Sequence, residues 1–205
     1  MKKFTLLFFV GLLTGISYGQ SIEELKNAES ITWFGIDFSE ARFIGKYDFK
    51  SFWELKEKFI PEWNQVVLRE PEKYDLGKYF SKSKVETELG DVYDRNSKID
   101  ETNIIVGLEE SDYELSNEII QKVVSEYKTD YTGYGLVFIV ESFNKSLEKG
   151  TIWVTYFHIP TKTVVLTKRL SAEPMGFGIR NYWARVFYDV MQTCETSQSA
   201  WFKQK

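Results

Sequence analysis

Between Tyr134 and Met191 the chain reads YGLVFIVESFNKS, TIWVTYFHI, a PTKT turn, VVLTKRL and then GFGIRNYWARVFYDVM. Three strands followed by one long helix is the order these residues impose, and no other stretch restricts the fold as much. In GLVFIVESF both faces are largely apolar, and in TIWVTYFHI the set Ile152, Val154 and Tyr156 alternates with Trp153, Phe157 and Ile159. Strands that are apolar on both sides belong inside a sheet covered on each face. VVLTKRL turns polar at Lys168 and Arg169, as an edge strand does. The short connections predict an antiparallel meander. After Gly176 and Gly178, the apolar residues Ile179, Tyr182, Trp183, Val186, Phe187, Val190 and Met191 recur at helical spacing as one stripe.

Upstream, Ile31 to Phe38 (ITWFGIDF) reads as a strand with Thr32, Phe34, Ile36 and Phe38 on one face and Trp33, Gly35 and Asp37 on the other. Asp48 is the expected N-cap of a helix through Phe49, Phe52, Trp53, Phe59 and Ile60, which Pro61 kinks or restarts toward Arg69. Residues 84–93 suggest an edge strand, DRNSKIDETN reads as loop, and Ser116 caps a helix lined by Ile119, Ile120, Val123, Val124 and Tyr127. The expected fold is an α/β (α+β) sandwich: a mixed or antiparallel sheet with a C-terminal three-strand meander, flanked by amphipathic helices.

The first residues, MKKFTLLFFVGLLTGISYGQ, have the basic start, apolar run and small residues of a secretory signal, with cleavage expected after Gly19. The apolar run from Phe4 to Ile16 is shorter than the roughly 20 residues that cross a bilayer. Residues 20–205 are then expected to form one globular domain, periplasmic or secreted, without a transmembrane segment. No cysteine follows the signal, so no lipoprotein anchor is expected, and the single Cys194 leaves no internal disulfide. Without Lys2 and Lys3 the chain keeps 24 basic against 30 acidic side chains, which disfavours nucleic acid as a partner.

The candidate chemistry is sparse. His158 is the only histidine, so a multi-histidine metal site is excluded, and no GxSxG corner supplies a nucleophile for a triad. Asp37 and Glu141 on separate strands are the candidate carboxylate pair for hydrolysis. Cys194 follows the stripe of the last helix, where the macrodipole disfavours a thiolate; it reads as a half-buried free thiol. Asp91, Asp94 and Asp100 lack the EF-hand spacing and read as a solvated loop. Gly176, Gly178 and Arg180 form a candidate anion corner at a helix start, without the third glycine of a dinucleotide site or the lysine of a P-loop. No cofactor and no metal is implied.

The element order over residues 31–193, a strand meander flanked by amphipathic helices behind an export signal, resembles the α/β domains of periplasmic outer-membrane accessory proteins. These include the N-terminal domain of TolB and the periplasmic regions of curli-secretion and peptidoglycan-synthase-activating lipoproteins. The signal ending in Gly19-Gln20 is similar to those of exported Bacteroidetes-type proteins. The likeness is one of topology and carries no functional residues over.

The leading expectation is a non-catalytic, envelope-associated interaction protein. Its cue is a set of aromatics beyond those the stripes use: Trp63, Tyr74, Tyr79, Tyr113, Tyr131 and Trp201. The alternatives are a carrier of a small apolar ligand and a carboxylate-dependent hydrolase using Asp37, Glu141 or His158.

Overall fold

The computed structural model describes residues 22–45, 49 and 51–203; the signal segment and the Asp48 cap lie outside them. A short helix, α1 (22–27), leads into β1 (Ser30–Asp37) and β2 (Arg42–Ile44). Then come α2 (Phe52–Glu54), a π-helical segment (Leu55–Phe59), α3 (Ile60–Arg69), α4 (Leu76–Tyr79) and β3 (Lys84–Thr87). They are followed by α5 (Gly90–Ser97), α6 (Glu101–Ile104), β4 (Ile105–Val106) and α7 (Asn117–Ser125). The chain closes with β5 (Tyr134–Asn144), β6 (Lys149–His158), β7 (Thr163–Ala172) and α8 (Gly178–Trp201).

Seven strands make one mixed sheet. The β5-β6-β7 meander is antiparallel throughout. The alternative of an all-antiparallel sheet is corrected by the other half, where β1 pairs in parallel with β3 and β5, and β2 in parallel with β4 and β5. The physical reason is the connections: the helical excursions after β2 and β3 are long enough for the crossovers that parallel strands need. Both β1 and β2 lie along one edge of β5, β1 against Gly135–Ile139 and β2 against Ser142–Asn144. They are thus one row of the sheet, broken at residues 38–41.

The sheet carries a core on each face. One cluster joins Ile31, Trp33, Ile36, Leu136, Phe138 and Ile152 to α3 and α8; the other joins Phe34, Val137, Ile139, Trp153 and Phe157 to Val92 of α5 and to α7. On the first face the α8 stripe runs through Trp183, Val186, Phe187, Val190 and Met191, and on to Cys194 and Trp201. Those first five side chains contribute roughly 8–15 kcal/mol of transfer free energy before entropy. Ile179, expected in the stripe, is exposed because it lies in the first turn of α8.

Gly35 overturns the expected facing of β1. The register slips between Trp33 and Gly35, whose φ is 99°, and a Cβ there would meet Asn64 Oδ1 at 2.5 Å. A bulge at a residue in this conformation reverses the alternation downstream. Ile36 and Phe38 therefore join Trp33, and Asp37 turns to the face of Phe34 and α7.

At Pro61 the helix restarts as α3, and the turns just before it are widened. Pro61 has no N–H to donate and its ring presses on the preceding turn, so the helix opens into the π-helical segment immediately before α3. Ser51 caps its start by accepting from Glu54 N.

Beyond Trp33, β3 no longer flanks β1, and two asparagine side chains take the place of a strand. Asn64 Oδ1 accepts from Ile36 N (2.7 Å), Asn96 Oδ1 accepts from Phe38 N (2.7 Å), and both amides donate to Ile36 O. Asn96 sits on α5, so this bracket pins α5 to the carboxyl end of β1.

Candidate functional site

The two carboxylates singled out from the sequence share a face of the sheet, and both are fully buried. Asp37 stands opposite Ile139 of β5, two residues from Glu141. They do not form one site, because each has its own partners.

Asp37 Oδ2 accepts from Arg95 Nε at 2.9 Å and from the Tyr127 hydroxyl at 3.0 Å, while Oδ1 accepts from Ser39 N. Arg95, on α5, also donates to Ser39 Oγ (2.6 Å) and to Glu126, with Glu40 at 3.6 Å. Burial alone would lower the Arg95 pKa, but the neighbouring Asp37 and Tyr127 outweigh it and hold the guanidinium above its ordinary value. Burial, then the adjacent Asp37 charge, pushes the Tyr127 phenol well above its usual range. Charge at this cluster is therefore fixed: a cationic arginine under a neutral phenol.

Glu141 is the residue skipped by a second register slip, between Val140 and Ser142. Its Oε2 accepts from Trp153 Nε1 (2.9 Å), Leu115 N (3.1 Å) and Arg169 Nε (2.9 Å), and its Oε1 from Arg169 Nη2 (2.6 Å). Arg169 closes this cluster from the edge strand β7, with Glu114 at 3.7 Å.

His158 stands at the other end of the sheet, paired with Tyr134 at the start of β5. Seven residues along an extended strand is roughly 23 Å from Glu141. Its Nδ1 lies 2.9 Å from Thr161 Oγ1 and its ring is tilted against Tyr134. The structure thus does not bring His158 to either acid.

Gly176 and Gly178 both have positive φ, which the turn into α8 requires. The Arg180 guanidinium beside them is held by Glu62 (3.0 Å), Glu70 (3.2 Å) and Asn181. Cys194 is fully buried rather than half-buried, and burial pushes its thiol well up. Of the surplus aromatics, Trp63, Tyr74, Tyr79 and Trp201 are core, Tyr113 is half-buried and Tyr131 is exposed. The large apolar side chains that are exposed include Trp53 and Phe177.

Over the Asp37 cluster lies a cleft of about 480 Å³. Its walls come from the break between β1 and β2 (Ser39, Ala41, Arg42), from α5 and its end (Asp94, Arg95, Lys98, Ile99), from α6 (Asp100, Asn103, Ile104) and from the segment after α7 (Glu126, Lys128). This is the carboxyl end of a parallel strand, where open α/β sheets place their ligands. Asp94 is held below the ordinary carboxylate range by hydrogen bonds from Lys98 (2.7 Å) and Lys128 (3.0 Å). Asp91 accepts from Lys128 N and Thr129 N, which ties the chain after α7 to α5. Asp91 and Asp94 are therefore helical residues with partners, not members of a solvated loop, and Asp100 caps α6 through Thr102 N.

Arg42, Arg95 and Asn96 went unnoticed in the sequence. α5 buries only Val92 and Asn96, so it carries no apolar stripe that periodicity could detect. No cluster of histidine, cysteine and acidic side chains suited to a metal occurs among the described residues. No helix among them is long and apolar enough to cross a membrane. No protein-family model, curated protein or solved structure matches this chain.

Proposed function

We propose that this chain is a non-catalytic binding protein, exported to the cell envelope, that holds a polar component of its surroundings in the cleft at the end of β1. One observation carries the reading: Asp37, beneath the cleft, is engaged by Arg95, and Glu141, away from it, by Arg169, so neither buried acid is left as an uncommitted acid-base group. A general acid or base must be free to reach the substrate, and the oxygens of both carboxylates are already taken by arginine and other donors inside the protein. A hydrolase using Asp37, Glu141 and His158 is further disfavoured by their separate placement. An apolar carrier fits poorly with a cleft in which seven of the twelve lining residues are charged. The export signal pattern supports the envelope location.

Thermal-shift measurements on the mature protein, across anionic, cationic, zwitterionic and apolar compounds, test the binding reading. Polar compounds are expected to raise the melting temperature by mass action. Ester, glycoside and phosphoester substrates assayed in parallel are expected to show no turnover. Turnover abolished by Asp37→Asn or Glu141→Gln would overturn the non-catalytic reading. Fractionation placing the chain in the cytoplasm would overturn the envelope assignment.

A further inference from the structure

Six arginines lie among the described residues, and five of them meet carboxylates: Arg69, Arg95, Arg169, Arg180 and Arg185. Arg42 has no ion pair among the described residues, yet it is half-buried and lines the cleft. Its guanidinium lies 4.4 Å from the centroid of the Tyr113 ring, and Nη1 donates to Ala41 O at 3.2 Å. The Tyr113 hydroxyl in turn donates to Glu40 O at 2.8 Å, which fixes the ring on which the guanidinium rests. A guanidinium carries five N–H donors in a rigid fork, so most of Arg42's remain for a ligand. The fork matches a carboxylate or a phosphate, and its stacking reduces the ordering that binding requires.

The same cleft also holds acids, and these select between the two anions. Asp94 is occupied by two lysines and Glu126 by Arg95. Asp100 uses Oδ1 for Thr102 N and Oγ1, and its Oδ2 accepts no hydrogen bond from the described residues. These hydrogen bonds from Thr102 also hold Asp100 below the ordinary carboxylate range, so it is charged at neutral pH. With Asp94 and Glu126 neutralised by those cations, Asp100 is the acid left without an ion pair among the described residues of the cleft, and a phosphate dianion meets it as a like charge that it has no ammonium to satisfy. A molecule with one carboxylate and one ammonium meets the Arg42 fork and the open Oδ2 of Asp100, which Lys56 influences only electrostatically.

Resting on the reading of the cleft as a binding site, we propose that it takes a small zwitterion bearing an α-carboxylate and an ammonium, a free amino acid or a short peptide. Arg42 grips the carboxylate and Asp100 receives the ammonium. A cleft of about 480 Å³ is within the range of small-ligand sites and suits a molecule of this size.

Calorimetric titration of the mature protein with alanine, trialanine, trialanine C-terminal amide, N-acetyl-trialanine and inorganic phosphate is the test. Alanine and trialanine distinguish the two sources of the same chemistry, and binding of either supports the proposal. The amide is expected to bind at least about tenfold more weakly than the free acid, the size of a lost charge-assisted contact. Arg42→Gln is expected to weaken the free acid by the same factor, and Arg42→Lys by less, since lysine keeps the charge but not the fork. Asp100→Asn is expected to remove the preference for trialanine over its N-acetyl form. Unchanged unfolding midpoints of the three unliganded variants separate lost binding from lost fold; should Arg42→Gln unfold, the amide comparison on the unaltered protein decides.

Phosphate binding as tight as trialanine, or equal binding of acid and amide, would overturn the zwitterion assignment. Should none of these probes bind while another compound of the thermal-shift screen does, with its binding reduced by Lys98→Ala or Lys128→Ala, the inference fails and the binding reading stands. If no compound of either set binds, both fall.

Discussion

Asp37 and Glu141 begin as similar problems and end differently. Each is a fully buried acid on the α7 face of the sheet, placed by a register slip, and each meets one arginine. Arg95 reaches Asp37 from inside: its side chain is only 10 % exposed and it also holds Ser39 and Glu126. Arg169 reaches Glu141 from the sheet edge and stays 34 % exposed. The first pair forms the floor of the cleft, while the second closes the side of the core beneath β7. A buried ion pair can thus serve as a foundation or as a seal, and the exposure of the cation tells which.

Removing the foundation is expected to do the most damage. Arg95→Ala leaves Asp37 buried without its cation and cuts the ties to Ser39 and Glu126, at a cost of about 3–5 kcal/mol in urea unfolding. Arg169→Ala is expected to cost about 1–3 kcal/mol, because water can approach Glu141 from the edge and the Trp153 and Leu115 donors remain. Equal losses for the two variants would erase the distinction between them.

The smallest effect is one of pH. The Tyr127 phenol is raised by burial and by Asp37; burial raises Tyr74 and Tyr79 to about 12 and holds Tyr156 well above its ordinary value. Below pH 10 these phenols are protonated in the folded and the unfolded chain alike. Above it the unfolded chain releases protons that the folded chain keeps, so stability falls as pH rises, by about 1.4 kcal/mol per pH unit for each such group. Tyr127→Phe is expected to make this alkaline loss shallower, measured as the urea midpoint between about pH 9 and 11. Trp153→Phe, at the Glu141 cluster, is expected to leave its slope unchanged. A Tyr127→Phe slope equal to that of the unaltered protein would show that the phenol is not held neutral by the Asp37 cluster.

The meander, the helix capped by Ser116 and most of the last helix were legible in the sequence, because each announces itself through apolar periodicity or a capping residue. The facing of Asp37 was not, since one glycine with positive φ reverses the alternation from which a strand's faces are read. The cleft was also hidden. Residues 94–104, which supply much of it, have the composition of a loop; what makes them helical is the Asn96 bracket, the Asp100 cap and the Arg95 pair. The surplus aromatics misled for the opposite reason. Trp63 and Tyr74 are buried by contacts across the chain, with Trp63 donating to Arg180 O and Tyr74 to Ala184 O, and pairing over more than a hundred residues leaves no local pattern.

The claim that these acids serve structure is tested most directly by a double-mutant cycle on Asp37 and Arg95, using Asp37→Asn, Arg95→Met and the pair, read by urea unfolding at pH 7. The expected coupling is at least about 2 kcal/mol, with the double variant markedly more stable than the sum of the single losses requires. A coupling near zero, with both single variants as stable as the unaltered protein, would contradict it and return Asp37 to the groups available for chemistry.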